Sequence, residues 1–322
     1  MPLALILVRW LHLLASMLLA GLFLFEAVIV LPAAMKASAD IGHLVGRIHR
    51  LTCRTALWTL LVALLSWFAW SCLVASTMTG DNLIECLQTG DWLTVLTGTQ
   101  FGHLWLFRIV VNLVFGINLW LMSTIPEQRS VRRLTLAWLS VIGLVSLAWV
   151  GHAAAGSGPL AAIHLSGDAL HLLAFAFWPG TLAPLAVFLF LILNSNQVEA
   201  IRLAAPVLRR FSVSSLIAVA VMALTGLLNG IFMVGSVHAL LTSAYGQLLA
   251  SKIILFCAMI GFGAWNLLWL KPRITRDPLN LNIGNQRVIR LLLKNVLWEI
   301  ALGTVVILIV GVLGTMPPPM HQ

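Results

Sequence analysis

The chain has 322 residues, of which 61% are hydrophobic and only 9% are charged, and its mean hydropathy is +1.02. These values exclude a soluble globular domain. The net charge of +9 would suggest nucleic acid as the partner of a soluble protein, but in a membrane protein it reports the orientation of the loops. We therefore predict an all-α, polytopic membrane protein that contacts the lipid bilayer and no nucleic acid.

Eight apolar runs have about the 20 residues that a helix needs to cross a bilayer. In chain order they are 3–31, 53–76, 103–123, 135–152, 165–193, 211–235, 251–270 and 295–316. The first run is too long for the apolar core of a signal peptide, so we interpret it as a retained span. We predict one integral membrane domain, 1–322, in which five N-terminal spans, 1–193, are followed by three C-terminal spans, 205–320.

The basic residues predict how the bundle is oriented. Sixteen of the 19 Lys and Arg residues lie in or beside the loops 32–52, 124–134, 194–210 and 271–294. By the positive-inside rule these loops are cytoplasmic. Both termini and the loops 77–102, 153–164 and 236–250 are then periplasmic. The short loops favour a multi-pass protein of the bacterial inner membrane.

Histidines of the periplasmic half are the first candidates for a site, because polar groups within a bilayer are costly to place and often functional. His12 lies on the first span, roughly 14 Å from its outer end at 1.5 Å per residue, and His152 closes the fourth span. On the fifth span His164, Asp168 and His171 follow at i, i+4 and i+7 and share one helical face.

These residue types favour metal binding. Imidazole nitrogens bind copper, zinc, nickel and haem iron, and a carboxylate next to a ligating histidine orients its ring. We predict a metal site formed by His12, His152, His164 and His171, with Asp168 as an accessory residue. A structural alternative for Asp168 is an ion pair with an arginine within the bundle, Arg9 or Arg108.

Five further residues are accessory candidates. The thioether of Met17 would select soft Cu(I). His103 and His238 lie at the ends of spans, where hydrogen bonds to loop carbonyls explain a histidine equally well. Glu26 and Glu299 lie deeper, and they would either line a path to the cytoplasm or pair with basic residues at the cytoplasmic face.

Nucleotide-binding and phosphorylation motifs are missing. The sequence contains no GxxxxGK[ST] loop and no Asp-Lys-Thr-Gly segment, so no known motif for ATP hydrolysis is present. We predict that the chain is not an enzyme.

A series of different short motifs lies along most of the chain. They are Arg9-x-x-His12, Thr-Gln-Phe-Gly at 99–102, Gly-His-Ala at 151–153, Arg-Phe-Ser at 210–212, Thr-Gly at 225–226, Thr-Ser-Ala-Tyr-Gly-Gln-Leu-Leu at 242–249 and Pro-Pro-Pro at 317–319. In order and spacing this set resembles the CopD/PcoD family of bacterial copper resistance proteins. One departure is Trp178-Pro179-Gly180, where the family usually has a glycine pair after the tryptophan, and Pro179 should kink the fifth span.

The resemblance implies an inner-membrane protein that handles copper, as Cu(I) or Cu(II), alongside a small periplasmic copper-binding protein of the CopC type. Such a partner would dock on the outer loops, of which 77–102 is the largest. We expect His152 and His164 to receive copper and His12 and His171 to hold it before it moves inward.

Two other functions fit the same residues. Histidines that face each other across helices also hold b-type haem, which would make the chain an electron-transfer or copper-reducing protein. Alternatively, the chain binds copper as a sensor or scaffold and transports nothing.

Overall fold

The computed structural model describes residues 2–35, 42–124, 129–151, 158–195, 198–275 and 283–321. Within these ranges every regular element is a helix, and eight helices are long and apolar enough to cross a membrane. They are Leu3–Ala34, Gly42–Thr79, Gln100–Met122, Ser130–Val150, Pro159–Leu193, Leu203–Val234, Ala244–Ile274 and Gln286–Leu313. The predicted all-α fold with eight spans is confirmed, while the periplasmic position of the termini stays a prediction.

Four of these spans change their helical geometry along their length. The first span consists of Pro2–Leu24, the π-helix Phe25–Val30 and Leu31–Ala34, and the seventh of Ala244–Trp265, the π-helix Asn266–Leu270 and Lys271–Thr275. The fourth span consists of Arg129–Val145 followed by the 3-10 helix Ser146–Val150. The fifth is divided into Pro159–Phe177 and Pro179–Leu193. The other four spans are single helices, Gly42–Thr79, Gln100–Thr124, Val198–Val234 and Ile283–Leu313. Helices are required here because lipid offers no hydrogen-bond partner to an open backbone.

The predicted interruption of the fifth span is present at Trp178. Proline has no N–H to donate and disfavours helical geometry in the residue before it. Accordingly, one helix ends at Phe177, the next begins at Pro179, and Trp178 between them has φ −114° and ψ −75°.

Shorter helices lie between or after the spans. They are Leu83–Gln88, Asp91–Gly98, Val237–Thr242 and the 3-10 helix Pro319–His321. The side chain of Asn82 accepts a hydrogen bond from the backbone N–H of Glu85, and that of Ser236 accepts one from Ala239, so both caps satisfy N–H groups that a helix start leaves unpaired.

The first and fifth spans form the centre of the bundle. In the most apolar 18-residue stretch of each span, 67% of the residues are buried in the first span and 72% in the fifth. The corresponding share is 17–44% in the other six spans. The first span packs against the second, fourth, fifth and eighth. Its Gly21 touches the fifth span so closely that a Cβ atom there would lie 1.8 Å from the carbonyl oxygen of Gly180. His12 and the triplet of the fifth span are thus carried by the two most enclosed helices.

Candidate functional site

His12 is fully buried, with 0% of its surface exposed, and both of its ring nitrogens are occupied. Nδ1 lies 2.9 Å from Ser66 Oγ, and Nε2 lies 2.6 Å from a terminal nitrogen of Arg108. The Ser66 hydroxyl donates its proton to the carbonyl of Val62, so its oxygen accepts the Nδ1 proton of His12. Nε2 is then the acceptor for the Arg108 guanidinium, and His12 is a neutral imidazole without a free lone pair.

Arg108, 2% exposed, joins the first, third and fourth spans. Besides His12 it donates to the Gly143 carbonyl and, at 2.5 Å, to Ser146 Oγ, and it lies 3.5 Å from Ser16 Oγ. A guanidinium within a membrane requires such partners, since an unpaired charge there costs several kcal/mol. The sequence motif Arg9-x-x-His12 gave no sign of this arrangement, because His12 and Arg108 are 96 residues apart.

Tryptophans surround this pair. The His12 ring lies 5.6 Å from the ring of Trp70 and 6.0 Å from that of Trp105. Trp67 and Trp105 each donate the indole N–H to the other's backbone carbonyl, at 2.9 and 3.0 Å. These reciprocal bonds join the second and third spans directly and exclude solvent from His12.

His171 has a different environment, since it lines a cavity of about 650 Å³ between the spans. Its Nδ1 lies 2.9 Å from Thr225 Oγ1, whose hydroxyl donates to the Val221 carbonyl at 2.7 Å. Thr225 Oγ1 therefore accepts the Nδ1 proton of His171. The second nitrogen, Nε2, keeps its lone pair on a ring that lines the cavity.

The cavity combines a few polar groups with sulfur atoms in an apolar wall. Asp168 accepts a hydrogen bond from the Asn229 amide and interacts electrostatically with Lys252. Arg9 also lines the cavity, with its guanidinium 4.8 Å from the centre of the Trp70 ring. The sulfur-bearing side chains are those of Met17, Met222, Cys257 and Met259.

Among the described residues, no ion pair within 4 Å joins Asp168 to Arg9 or Arg108. The structural alternative for Asp168, an ion pair with Arg9 or Arg108, is therefore not what the structure shows. Its carboxylate is held by an amide instead.

The other predicted histidines lie apart from this cavity or outside the described ranges. His164 is buried and stacks on Phe232, with ring centroids 4.7 Å apart. His103 is exposed, and its Nε2 lies 2.8 Å from the Thr97 carbonyl. His238 is exposed on the short helix Val237–Thr242. His152 lies outside the described residues.

Glu26 has basic partners near the end of the bundle predicted to be cytoplasmic. Its Oε1 lies 2.7 Å from His49 Nδ1 and 2.9 Å from Arg133 Nε. Cys53, one turn from His49, places its sulfur 3.6 Å from Nε2 of that ring. This arrangement matches the expected alternative in which Glu26 pairs with basic residues.

Glu299 has an amide network instead. Its Oε1 accepts a hydrogen bond from Asn266 Nδ2 at 2.8 Å, and Asn266 Oδ1 accepts one from Asn295 at 2.8 Å. The carboxyl is 2% exposed and lines a second cavity of about 180 Å³. Glu26 and Glu299 thus belong to two separate clusters.

No group of three or more His, Cys, Asp or Glu side chains is arranged to hold a metal ion within the described part of the chain. Imidazole and thioether groups of the large cavity are nevertheless chemically suited to copper. Sequence reasoning missed Ser66, Thr225 and Asn229, the groups that orient the histidines and Asp168. Ser66 and Asn229 gave no signal beyond a polar residue within an apolar span, and Thr225 stood out only as part of the Thr-Gly motif.

The eight apolar helices and the polar groups within them define a multi-pass membrane protein. Comparison with known proteins then shows that the chain belongs to the copper resistance protein D family. Residues 1–162 match the N-terminal domain of copper resistance protein D-like proteins, and residues 205–313 match copper resistance protein D. It is thus a membrane protein of a copper resistance and transport family, as the motifs predicted.

Three relatives illustrate this membership. The chain is 30% identical over 313 residues to inner membrane protein YebZ of Escherichia coli K12, covering 96% of this chain and 97% of that protein. It is 28% identical over 255 residues to copper resistance protein D of Pseudomonas syringae pv. tomato, covering 77% and 78%. It is 30% identical over 246 residues to copper transport protein CutJ of Bacillus subtilis 168, covering 74% and 41%. No solved structure matches the chain.

Proposed function

We propose that the protein carries copper across the inner membrane and binds it in the large cavity, with Nε2 of His171 as the imidazole ligand. The observation that carries this proposal is the hydrogen bond from Nδ1 of His171 to Thr225, which leaves Nε2 with a lone pair on a ring that lines the cavity. A hydrogen bond of this kind fixes the tautomer and strengthens the ligating nitrogen. The proposal assigns no catalysed reaction to the chain.

Thioethers complete the proposed ligand set. Met17, Met222 and Met259 line the same cavity, and they come from the first, sixth and seventh spans. Imidazole with thioether sulfur favours Cu(I), because both thioether and Cu(I) are soft. Small movements of flexible methionine side chains would bring sulfur to the metal.

In this proposal the other predicted ligands either bind copper before His171 does or bind it only when their present partner leaves. His152 and His164 receive copper on its way from the periplasmic side. His12 serves as a ligand only after Arg108 leaves its Nε2, since that lone pair is occupied. Asp168, one turn from His171, supplies a negative charge that favours a cation in a cavity that also contains Arg9 and Lys252.

The periplasmic partner in this proposal is a CopC-type copper-binding protein that docks on the loop 77–102. This loop contains the helices Leu83–Gln88 and Asp91–Gly98. Both helices present exposed apolar side chains, of which Ile84 is 68% exposed and Leu93 is 55% exposed. Exposed apolar residues at one place are typical of a surface that binds a protein or lipid.

Metal analysis and a visible absorbance spectrum of the detergent-purified protein test the proposal. We expect about one copper per chain in the wild type, from the single proposed site, no haem band, and loss of copper in His171→Ala. His103→Ala is the matched control, because His103 is exposed and bonded to a loop carbonyl. A haem band that disappears in His171→Ala would overturn the proposal in favour of a membrane cytochrome.

Copper flux into liposomes separates transport from sensing. Wild-type protein should load vesicles with copper faster than His171→Ala protein at the same density. Copper binding without any flux would instead indicate a sensor or scaffold.

A further inference from the structure

Trp178 separates the two cavities of the bundle. It lines both the 650 Å³ cavity that contains His171 and the 180 Å³ cavity that contains Glu299. It also occupies the break between the two helices of the fifth span, and its ring packs edge-on against Phe256 at 5.9 Å. Among the described residues, only Trp178 lines both cavities.

The smaller cavity leads toward the end of the bundle predicted to be cytoplasmic. Lys271 lines it, next to the loop 271–294, and so do Ser212 and Ser215 of the sixth span. Ser215 is 9% exposed, and its hydroxyl oxygen is buried without a hydrogen-bond partner in the described structure. The wall of this cavity is mostly apolar, but its volume has room for several water molecules, and water beside Ser215 would satisfy this hydroxyl.

Glu299 faces this cavity with partners that carry no charge. Asn266 donates to its Oε1 at 2.8 Å, and Trp178 lines the same cavity. Asn266 begins the π-helix of the seventh span, and such π-helical turns often occur at functional sites. No Lys, Arg or His lies within 4 Å of the carboxyl among the described residues.

Charged groups near Glu299 are few. Of the described residues that line its cavity, only Lys271 carries a charge besides Glu299, and Lys271 interacts electrostatically with Arg209 of the sixth span. The first and fifth spans contribute no ionisable residue to the lining. A carboxylate without a neighbouring cation is expensive within a membrane, whereas the protonated acid is neutral and can donate a hydrogen bond.

We propose that Glu299 is a proton-binding site that couples copper movement past Trp178 to proton uptake from the smaller cavity. The coupling, though not the proton site, rests on the proposed copper transport. Water in the cavity delivers a proton, and the carboxylate becomes a carboxylic acid. The carboxylate attracts a cation in this cavity and the neutral acid does not, so proton uptake releases copper that has passed Trp178.

Infrared difference spectra of the purified full chain, titrated with acid, test the proton site without copper. We expect a band of a protonated carboxyl group that is present in the wild type and absent in Glu299→Gln. Glu85→Gln is the control, since Glu85 is exposed on a loop helix. An unchanged band in Glu299→Gln would overturn the proton site, whether or not the protein transports copper.

Liposomes with a clamped membrane potential test the coupling. A pH gradient should change the copper flux of the wild type several-fold and leave that of Glu299→Gln unchanged, while both bind copper equally. Gradient-dependent flux in Glu299→Gln overturns the coupling. If the wild type moves no copper, the coupling and the proposed transport both fail, but the infrared result still decides the proton site.

Discussion

His12 and His171 lie on the two most buried helices of the bundle, yet their ring nitrogens have opposite surroundings. Both donate Nδ1–H to a hydroxyl, Ser66 for His12 and Thr225 for His171. At His12 the second nitrogen is occupied by Arg108, whereas at His171 no described residue hydrogen-bonds it and the ring lines a cavity. Burial and motif membership alone therefore do not identify a metal ligand; the partner of the second nitrogen does.

Removing the cavity histidine should give the largest effect. We expect His171→Ala to weaken copper binding by about 100-fold or more, above the range found when only a supporting residue is lost. Competition with a Cu(I)-specific chelator measures this affinity. His12→Ala is the comparison, and an equal loss in both variants would contradict the distinction between the two histidines.

Breaking the His12 cluster should affect stability instead. Arg108→Met removes the hydrogen bonds that the guanidinium donates to His12, Ser146 and the Gly143 carbonyl, and hydrogen bonds to charged groups contribute about 1.5–3 kcal/mol. We expect a lower thermal midpoint in detergent, while copper binding is retained because the His171 site is intact. Arg290→Met, at an exposed position, is the control. An unchanged thermal midpoint in Arg108→Met would contradict a structural role for this cluster.

A smaller effect is expected from the residue that orients His171. Thr225→Val keeps the shape of the side chain and removes the acceptor for Nδ1–H, so copper affinity should fall by about tenfold. Thr225→Ser should restore most of it, because the hydroxyl returns. The same chelator competition measures both variants, and no difference between valine and serine would argue against a role for this bond.

The corresponding change beside His12 should have the smallest effect. Ser66→Ala removes one hydrogen bond to His12, whose two ring nitrogens are both occupied. Such a bond contributes about 1 kcal/mol. The thermal midpoint should fall slightly, and copper affinity should stay the same. Loss of copper binding in Ser66→Ala would show that the His12 cluster takes part in the copper site.

Hydropathy was enough to predict all eight spans, since each contains a long apolar run. The observed helices extend further than the runs; the second begins at Gly42, whereas its apolar run begins at residue 53. Helical geometry continues into polar sequence near the membrane surface, and a hydropathy profile does not detect this continuation.

Only part of the candidate site could be predicted. Spacing correctly placed His164, Asp168 and His171 on one helix, but it gave no information about the neighbouring spans. His164 stacks on Phe232 and does not line the cavity, while His171 meets Thr225 from the sixth span. His171 and Thr225 are 54 positions apart, and His12 and Arg108 are 96 positions apart. Such contacts depend on tertiary packing, which residue spacing does not predict.

The glycine contact between the first and fifth spans has a mechanical consequence. Gly21 and Gly180 meet backbone to backbone, so the two helices cannot approach further at that depth. Gly180 lies only two residues after Trp178, between the two cavities. The contact therefore sets the spacing of the first and fifth spans beside Trp178, and a side chain at position 21 would force the two helices apart there.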